Sequence, residues 1–158
     1  MNTLKRNTAY EGFPLHTNIF VEYIEERHEV ETVAEILEAI ADGKHQGFLS
    51  QGGFYTLTFL LERALRHKGI YKPILTDLLR RVLGDILSTA TVVGISHKHF
   101  LDAVGDAAFS DLEDSFQYHC ALENECDVLI TINIKDYKDA GSEKLKVMTP
   151  FDFAERYL

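Results

Sequence analysis

Several features that would announce a function are missing from this 158-residue chain. No run approaches the roughly 18 apolar residues that a membrane-spanning helix needs, so no membrane association is expected. The opening MNTLKRNTAYEGFP has two early basic residues but no apolar segment, and it does not read as a signal peptide. Cysteine is scarce. Cys120 and Cys126 lack the CxxC spacing of a zinc site and are expected to be small buried side chains in a reducing compartment, with the cytoplasm as the default location. Internal repeats, low-complexity tracts and Pro/Gly/Ser linkers are absent as well. Residues 1–158 are therefore expected to form one domain, with residues 1–12 as a flexible extension.

Known catalytic signatures are missing too. There is no GxSxG elbow for a serine nucleophile, and Gly52-Gly53 lacks the Lys-Ser/Thr that would complete a phosphate loop. Seven histidines offer no zinc-like partner set, and His97 and His99 read as solvated residues. Excess positive charge is also lacking. A net charge of −9 argues against broad attraction to a phosphate backbone. It does not exclude a nuclease, because carboxylates clustered for divalent cations make a chain more acidic than its working form. Basic residues are grouped locally at Arg63, Arg66, His67, Lys68 and Lys72, with Arg80 and Arg81 soon after.

What is present is the balance of an ordinary globular protein, 46% hydrophobic and 26% charged. A helix is predicted from near Asn18, and a second over Val30 to Asp42 with Val33, Ile36, Leu37 and Ile40 on one stripe and Gly43 as its stop. Gly47-Phe48-Leu49-Ser50 reads as a buried strand. Gly52-Gly53 should let the chain turn into a long helix over Phe54 to His67, ended by Gly69. Pro73 fits the first turn of the next helix, Thr91 to Ile95 a strand, and Phe100 to Val104 a short helix. A helix from Ser110 to Asn124 precedes the strongest strand, Asp127 to Ile132, which is continuously apolar as an interior parallel strand should be. Leu145 to Met148 is a last strand and Pro150 opens a terminal helix. Strands alternating with helices, and no two-residue hairpin turns, indicate βαβ units and a parallel sheet with helices on both faces. Ligand sites in such sheets lie beyond the carboxyl ends of the strands.

Two polar clusters fall there. In Ser110-Asp111-Leu112-Glu113-Asp114-Ser115, Asp111 and Asp114 are three residues apart and would share a helix face. Their repulsion is offset in part by the helix N-terminus, and capping by Ser110 or Asp111 is as open as ligation. Thr131-Ile132-Asn133-Ile134-Lys135-Asp136-Tyr137 follows the strongest strand, where an Asx-type turn is the plainer alternative. Hard oxygen donors of this kind suit Mg²⁺ or Mn²⁺, which lower the pKa of a bound water and stabilise charge on a phosphate.

The run from Asp111 to Tyr118, then Ala121-Leu122-Glu123, Cys126 to Tyr137 and Leu145 to Pro150, resembles the C-terminal half of PIN domains, and most nearly VapC-type toxins of toxin–antitoxin pairs. His16-Thr17-Asn18-Ile19-Phe20 resembles that family's opening Asp-Thr-Asn motif. The resemblance spans nearly the whole chain in element order, with its specific motifs between residues 110 and 150. It implies a three-layer α/β/α PIN-like fold around a central, mainly parallel sheet of about five strands. It also implies Mg²⁺- or Mn²⁺-dependent endonucleolytic cleavage of RNA by the toxin half of such a pair. Asp111, Asp114 and Asp136 would be the catalytic, metal-holding residues, with Asn18, Thr131, Asn133, Glu113 and His16 in support. An antitoxin that blocks the site and a homodimer are the implied partners.

The sequence departs from the family pattern at two places. His16 stands where the opening aspartate would be, and Thr56 where a mid-domain Glu or Asn would be. An imidazole favours softer metals than Mg²⁺ and brings no negative charge. Gly12 and Pro14 interrupt what should be the first strand, since proline loses a ladder hydrogen bond. These departures support a second expectation, a catalytically impaired PIN-fold module kept for binding RNA or a protein partner.

Overall fold

The computed structural model describes residues 12–140 and 143–158. The extension expected at residues 1–12 lies, except for Gly12, outside them. In chain order the elements are β1 (Gly12–Pro14), α1 (Thr17–Ile24), α2 (Val30–Ala41), β2 (Gln46–Ser50), α3 (Gln51–His67), α4 (Ile74–Thr89) and β3 (Ala90–Val93). They continue with α5 (His97–Gly105), α6 (Leu112–Glu123), β4 (Val128–Ile130), a 3₁₀ turn (Ile134–Tyr137), β5 (Lys146–Met148) and α7 (Pro150–Tyr157). Gly43 and Gly69, at φ +75° and +79°, end α2 and α3 as their positions in the sequence suggest.

All strand pairs are parallel. They form two ladders, β1-β2-β3 and β4-β5, joined by a single bridge between Leu15 and Ile130. The expected five strands are present, but the main ladder holds only three, and Pro14 accounts for the break. Leu15 donates its N–H to Phe48 O on β2 (2.7 Å) and His16 donates to Ile130 O beside β4 (3.1 Å). Parallel pairing alternates these directions, so position 14 faces β4 without a donor. The N-terminal segment is thus a short strand in its place, interrupted on one side.

Helices cover both faces. On one, Phe13, Leu15, Leu49, Val128 and Ile130 of the sheet pack with Ile19, Phe20, Val33, Ile36, Leu57 and Phe153 of the helices. On the other, Leu129 packs with Tyr118, Ala121, Phe109 and Tyr137. Alternate residues of one strand, Val128 and Ile130 against Leu129, feed different cores, as a strand buried on both faces requires.

Among the described residues no helix is long and apolar enough to cross a membrane. Cys120 and Cys126 are free and buried, and burial pushes their thiols up to about 11 and about 12, so both stay protonated and unreactive. α3 begins three residues earlier than the sequence suggests, so Gly52 and Gly53 lie inside its first turn. Gly53 is there for close approach. A Cβ on it would sit 2.8 Å from both Ser50 Oγ and Thr17 Oγ1, and 2.9 Å from Gln117 Nε2.

α6, which carries Asp114, is clamped to α5. Ser115 Oγ donates to Ala103 O (2.8 Å), and His119 Nε2 lies 2.9 Å from Asp106 Oδ2. That hydrogen bond is the main reason the Asp106 carboxyl is held below its ordinary value of 3.8. A depressed carboxyl stabilises the fold above its unfolded pKa and loses that contribution as pH falls through the lowered folded value. Asp106→Asn should therefore flatten the acid limb of a stability–pH curve recorded from about pH 5 downward; an unchanged limb would show that the clamp carries no such linkage.

Candidate functional site

The sheet determines where chemistry can sit. His16 follows β1, Ser50 closes β2 and Thr131 follows β4, so all three stand at carboxyl ends of parallel strands. The first turn of α6 brings Asp114 over the same edge.

His16 caps α1. Its Nδ1 accepts the Asn18 backbone N–H at 3.2 Å, which leaves the ring proton on Nε2. That nitrogen lies 3.0 Å from Asp114 Oδ1, so His16 donates to the carboxylate. Tyr137 OH donates to the same oxygen, also at 3.0 Å. His16 is 7% and Asp114 6% exposed, so a carboxylate has been taken out of water and given two donors in exchange. Burial, and then the neighbouring Asp114 charge, hold the Tyr137 phenol far above the ordinary tyrosine value. It stays protonated and remains a donor. The His16 ring stands edge-on to Tyr137, at 86° and 6.4 Å between centroids.

The amide and hydroxyl expected nearby are in place. Asn18 Nδ2 donates to Thr131 Oγ1 at 3.1 Å, and Asn18 Oδ1 accepts from Ile132 N at 3.5 Å. Thr131 Oγ1 also accepts the Asn133 N–H at 3.2 Å, which shapes the exit from β4. Asn133 itself is exposed at the rim.

The remaining carboxylates make no hydrogen bond to His16 or Tyr137, although the charges of Asp111 and Asp136 help hold the Tyr137 phenol high. Asp111 is the N-cap of α6, and its Oδ1 accepts from Glu113 N (2.7 Å) and Asp114 N (3.4 Å). Three-residue spacing therefore does not put the Asp111 and Asp114 carboxylates on one surface; one caps the helix and the other turns inward. Glu113 is exposed and lines a cavity of about 120 Å³ with Ser50, Gly52, Thr56 and Gln117. Asp136 lines a separate cleft of about 470 Å³ with Ser110, Lys135 and Lys138.

The structure thus brings together His16, Asn18, Asp114 and Thr131, with Asn133 at the edge, and leaves Asp111 and Glu113 exposed and Asp136 half-buried nearby. Among the described residues no three His, Cys, Asp or Glu side chains are grouped so as to hold a metal ion. Mg²⁺ demands converging oxygen donors in near-octahedral array. Here one inward donor is an imidazole already committed at both nitrogens, and Asp114 Oδ1 already accepts two hydrogen bonds. As they stand, both His16 nitrogens and Asp114 Oδ1 are engaged within the protein, so a divalent cation held here would have to displace these hydrogen bonds.

Sequence reasoning missed Tyr137 as a site residue. It adjoins Asp136, and only the geometry of the 3₁₀ turn decides which of the two faces inward. It also missed the polar group around Gly53, where Ser50 Oγ donates to Gln117 Oε1 at 2.8 Å and caps α3 through Gly53 N at 2.9 Å. The adjacent glycines were its signal.

Removing one donor from a buried charge is costly. Tyr137→Phe should lower unfolding stability by about 1–3 kcal/mol, and Asp114→Ala by at least as much, since it strands two buried donors. Chemical denaturation measures both, and changes within a few tenths of a kcal/mol would show the network to be energetically idle.

Comparison with known proteins bears on this geometry. A search of curated proteins finds no match. Among solved structures, VapBC2 from Rickettsia felis, bound to a DNA fragment from its promoter, superposes with a TM-score of 0.64 at 18% identity, over 87% of this chain and 98% of that one. At that identity the likeness shows the fold. The PIN domain family matches residues 15–135, from just after β1 into the turn after β4. That span covers well over half of the sequence, including His16, Asn18, Asp114 and Thr131 of the buried centre but not Tyr137, and on it the chain belongs to the PIN domain family.

Proposed function

We propose that this chain is a PIN-fold protein of the toxin–antitoxin kind whose centre binds RNA without the metal-dependent cleavage general to PIN nucleases. One observation carries this reading, the buried Asp114 carboxylate closed off by His16 and Tyr137. PIN-type hydrolysis relies on a divalent ion held by converging carboxylates. In this chain the position after β1 supplies a hydrogen-bond donor instead of a second carboxylate. The proton-bearing groups, His16 Nε2 and Tyr137 OH, point at Asp114, so neither is free to accept a proton from a nucleophile. An antitoxin-like partner and a homodimer belong to the same reading, and the likeness to VapBC2 supports the former.

The second reading is the active endoribonuclease, in which Asp111, Asp114 and Asp136 gather around Mg²⁺ or Mn²⁺ with Asn133, Thr131 and Asn18 in support. The charges of Asp111 and Asp136, both close enough to act on Tyr137 beside Asp114, favour it.

His16→Asp separates the two. It places a second carboxylate against Asp114, and like charges in a buried site should lower stability without metal by on the order of 2 kcal/mol. Millimolar Mn²⁺ should restore that stability in the variant and leave the wild type unmoved, because an ion stabilises only the state that binds it. With a labelled RNA, the wild type should bind without cutting, and cleavage should appear only in the variant. Mn²⁺-dependent cutting by the wild type that disappears in Asp114→Asn would instead establish the endoribonuclease.

A further inference from the structure

The outward face of α3 carries a set of side chains that the buried centre does not use. Tyr55 is 65% and Phe59 62% exposed. They are four residues apart, so their rings leave the same helix face about 6 Å apart along the axis. Arg63 continues the row, its guanidinium 6.0 Å from the centre of the Phe59 ring. Arg66, His67 and Lys68 follow, all exposed. Arg66 reaches Glu62 through Nε (3.1 Å) and Nη2 (2.8 Å), which aligns it along the same face. At the other end Gln51 Nε2 donates to Tyr55 OH at 3.4 Å, and Gly52 and Thr56 line the cavity shared with Glu113 and Gln117. The row therefore runs from beside that cavity to the basic C-terminal end of α3.

Single exposed apolar side chains are ordinary, but two large rings in register on one helix, continued by arginine, are not explained by packing. In a chain of net charge −9, a local run of Arg63, Arg66 and Lys68 is a concentrated positive feature. Rings that stack combined with cations that meet phosphates are the two requirements for holding an unpaired strand. A duplex hides its base faces, so the rings could not be used on one.

We propose that this face of α3 is a stacking platform for a single-stranded nucleic acid. Tyr55 and Phe59 take the faces of neighbouring bases, and Arg63, with Lys68 beyond it, takes the backbone. Stacking of this kind tolerates any base, so the platform confers strand form rather than sequence. The inference stands whether or not the buried centre cleaves.

The test is fluorescence anisotropy of the full chain with labelled twelve-nucleotide RNA and DNA strands, and with the corresponding duplex, in EDTA so that no metal chemistry enters. The single strands should bind, and the duplex should compete poorly. Tyr55→Ala/Phe59→Ala should weaken binding about ten-fold or more. Tyr55→Leu/Phe59→Leu, which keeps apolar area but removes the rings, should weaken it to a similar degree. Arg63→Gln should flatten the dependence on salt. A preference for RNA over DNA, or its absence, identifies which strand the platform serves. Thermal unfolding of each variant should match the wild type, because the side chains are exposed. Binding unchanged in both double variants would overturn the proposal. So would a double variant whose only change is dissociation of a dimer in sedimentation, which would assign the face to a second copy of the chain.

Discussion

A carboxylate removed from water needs charge-assisted partners, and the arrangement around Asp114 follows from that requirement. Its two donors come from distant parts of the chain, one just after β1 and one at the end of the turn after β4. Both can reach it only if the parallel strands lie side by side and α6 crosses their carboxyl ends. The bridge between Leu15 and Ile130, the Asn18–Thr131 hydrogen bond and the capping of α6 by Asp111 all tie the same three segments together. Fold and site are in this sense one construction. The network that sets the chemistry also fastens β1 to β4 where Pro14 leaves the ladder incomplete.

Under the proposed function, the same network stands where a metal-dependent nuclease would hold its ion, within the frame of a PIN domain. Convergent carboxylates repel one another until a cation arrives, so an empty metal site is under electrostatic strain. Here His16 relieves that strain without an ion, by giving a proton-bearing nitrogen to the position nearest Asp114. Of the acidic side chains left over, Asp111 and Glu113 face solvent and Asp136 is half-buried. Asp111 serves α6 as a cap, and Asp136 borders a cleft with two lysines. The charges of both still reach the Tyr137 phenol.

Much of the architecture was legible in the sequence because it rests on periodicity and punctuation. The 3.6-residue stripes of α2 and α4, the apolar run before Thr131 and the glycine stops at Gly43 and Gly69 placed the elements to within a few residues. The two-ladder arrangement was harder to foresee. Pro14 signalled trouble in β1, but which neighbour lost its hydrogen bond depends on strand direction and register. The site was legible as a region and less so in its members. Asp111 and Asp114 look equivalent at three-residue spacing, and only the exact helix start makes one a cap and the other an inward ligand of His16. Asp136 and Tyr137 are adjacent, and the choice between them is made by the turn. Exposure of Tyr55 and Phe59 was likewise out of reach, since aromatic residues at helical spacing are most often core.

The most direct test of the central claim is a map of Mn²⁺-induced line broadening in the NMR spectrum of the wild-type protein. If His16 and Tyr137 hold Asp114 as described, sub-millimolar Mn²⁺ should leave the resonances of these three residues sharp, and any broadening should be confined to the exposed carboxylates. Early broadening centred on His16, Asp114 and Tyr137 would show that the network opens to a metal ion, and would contradict the account.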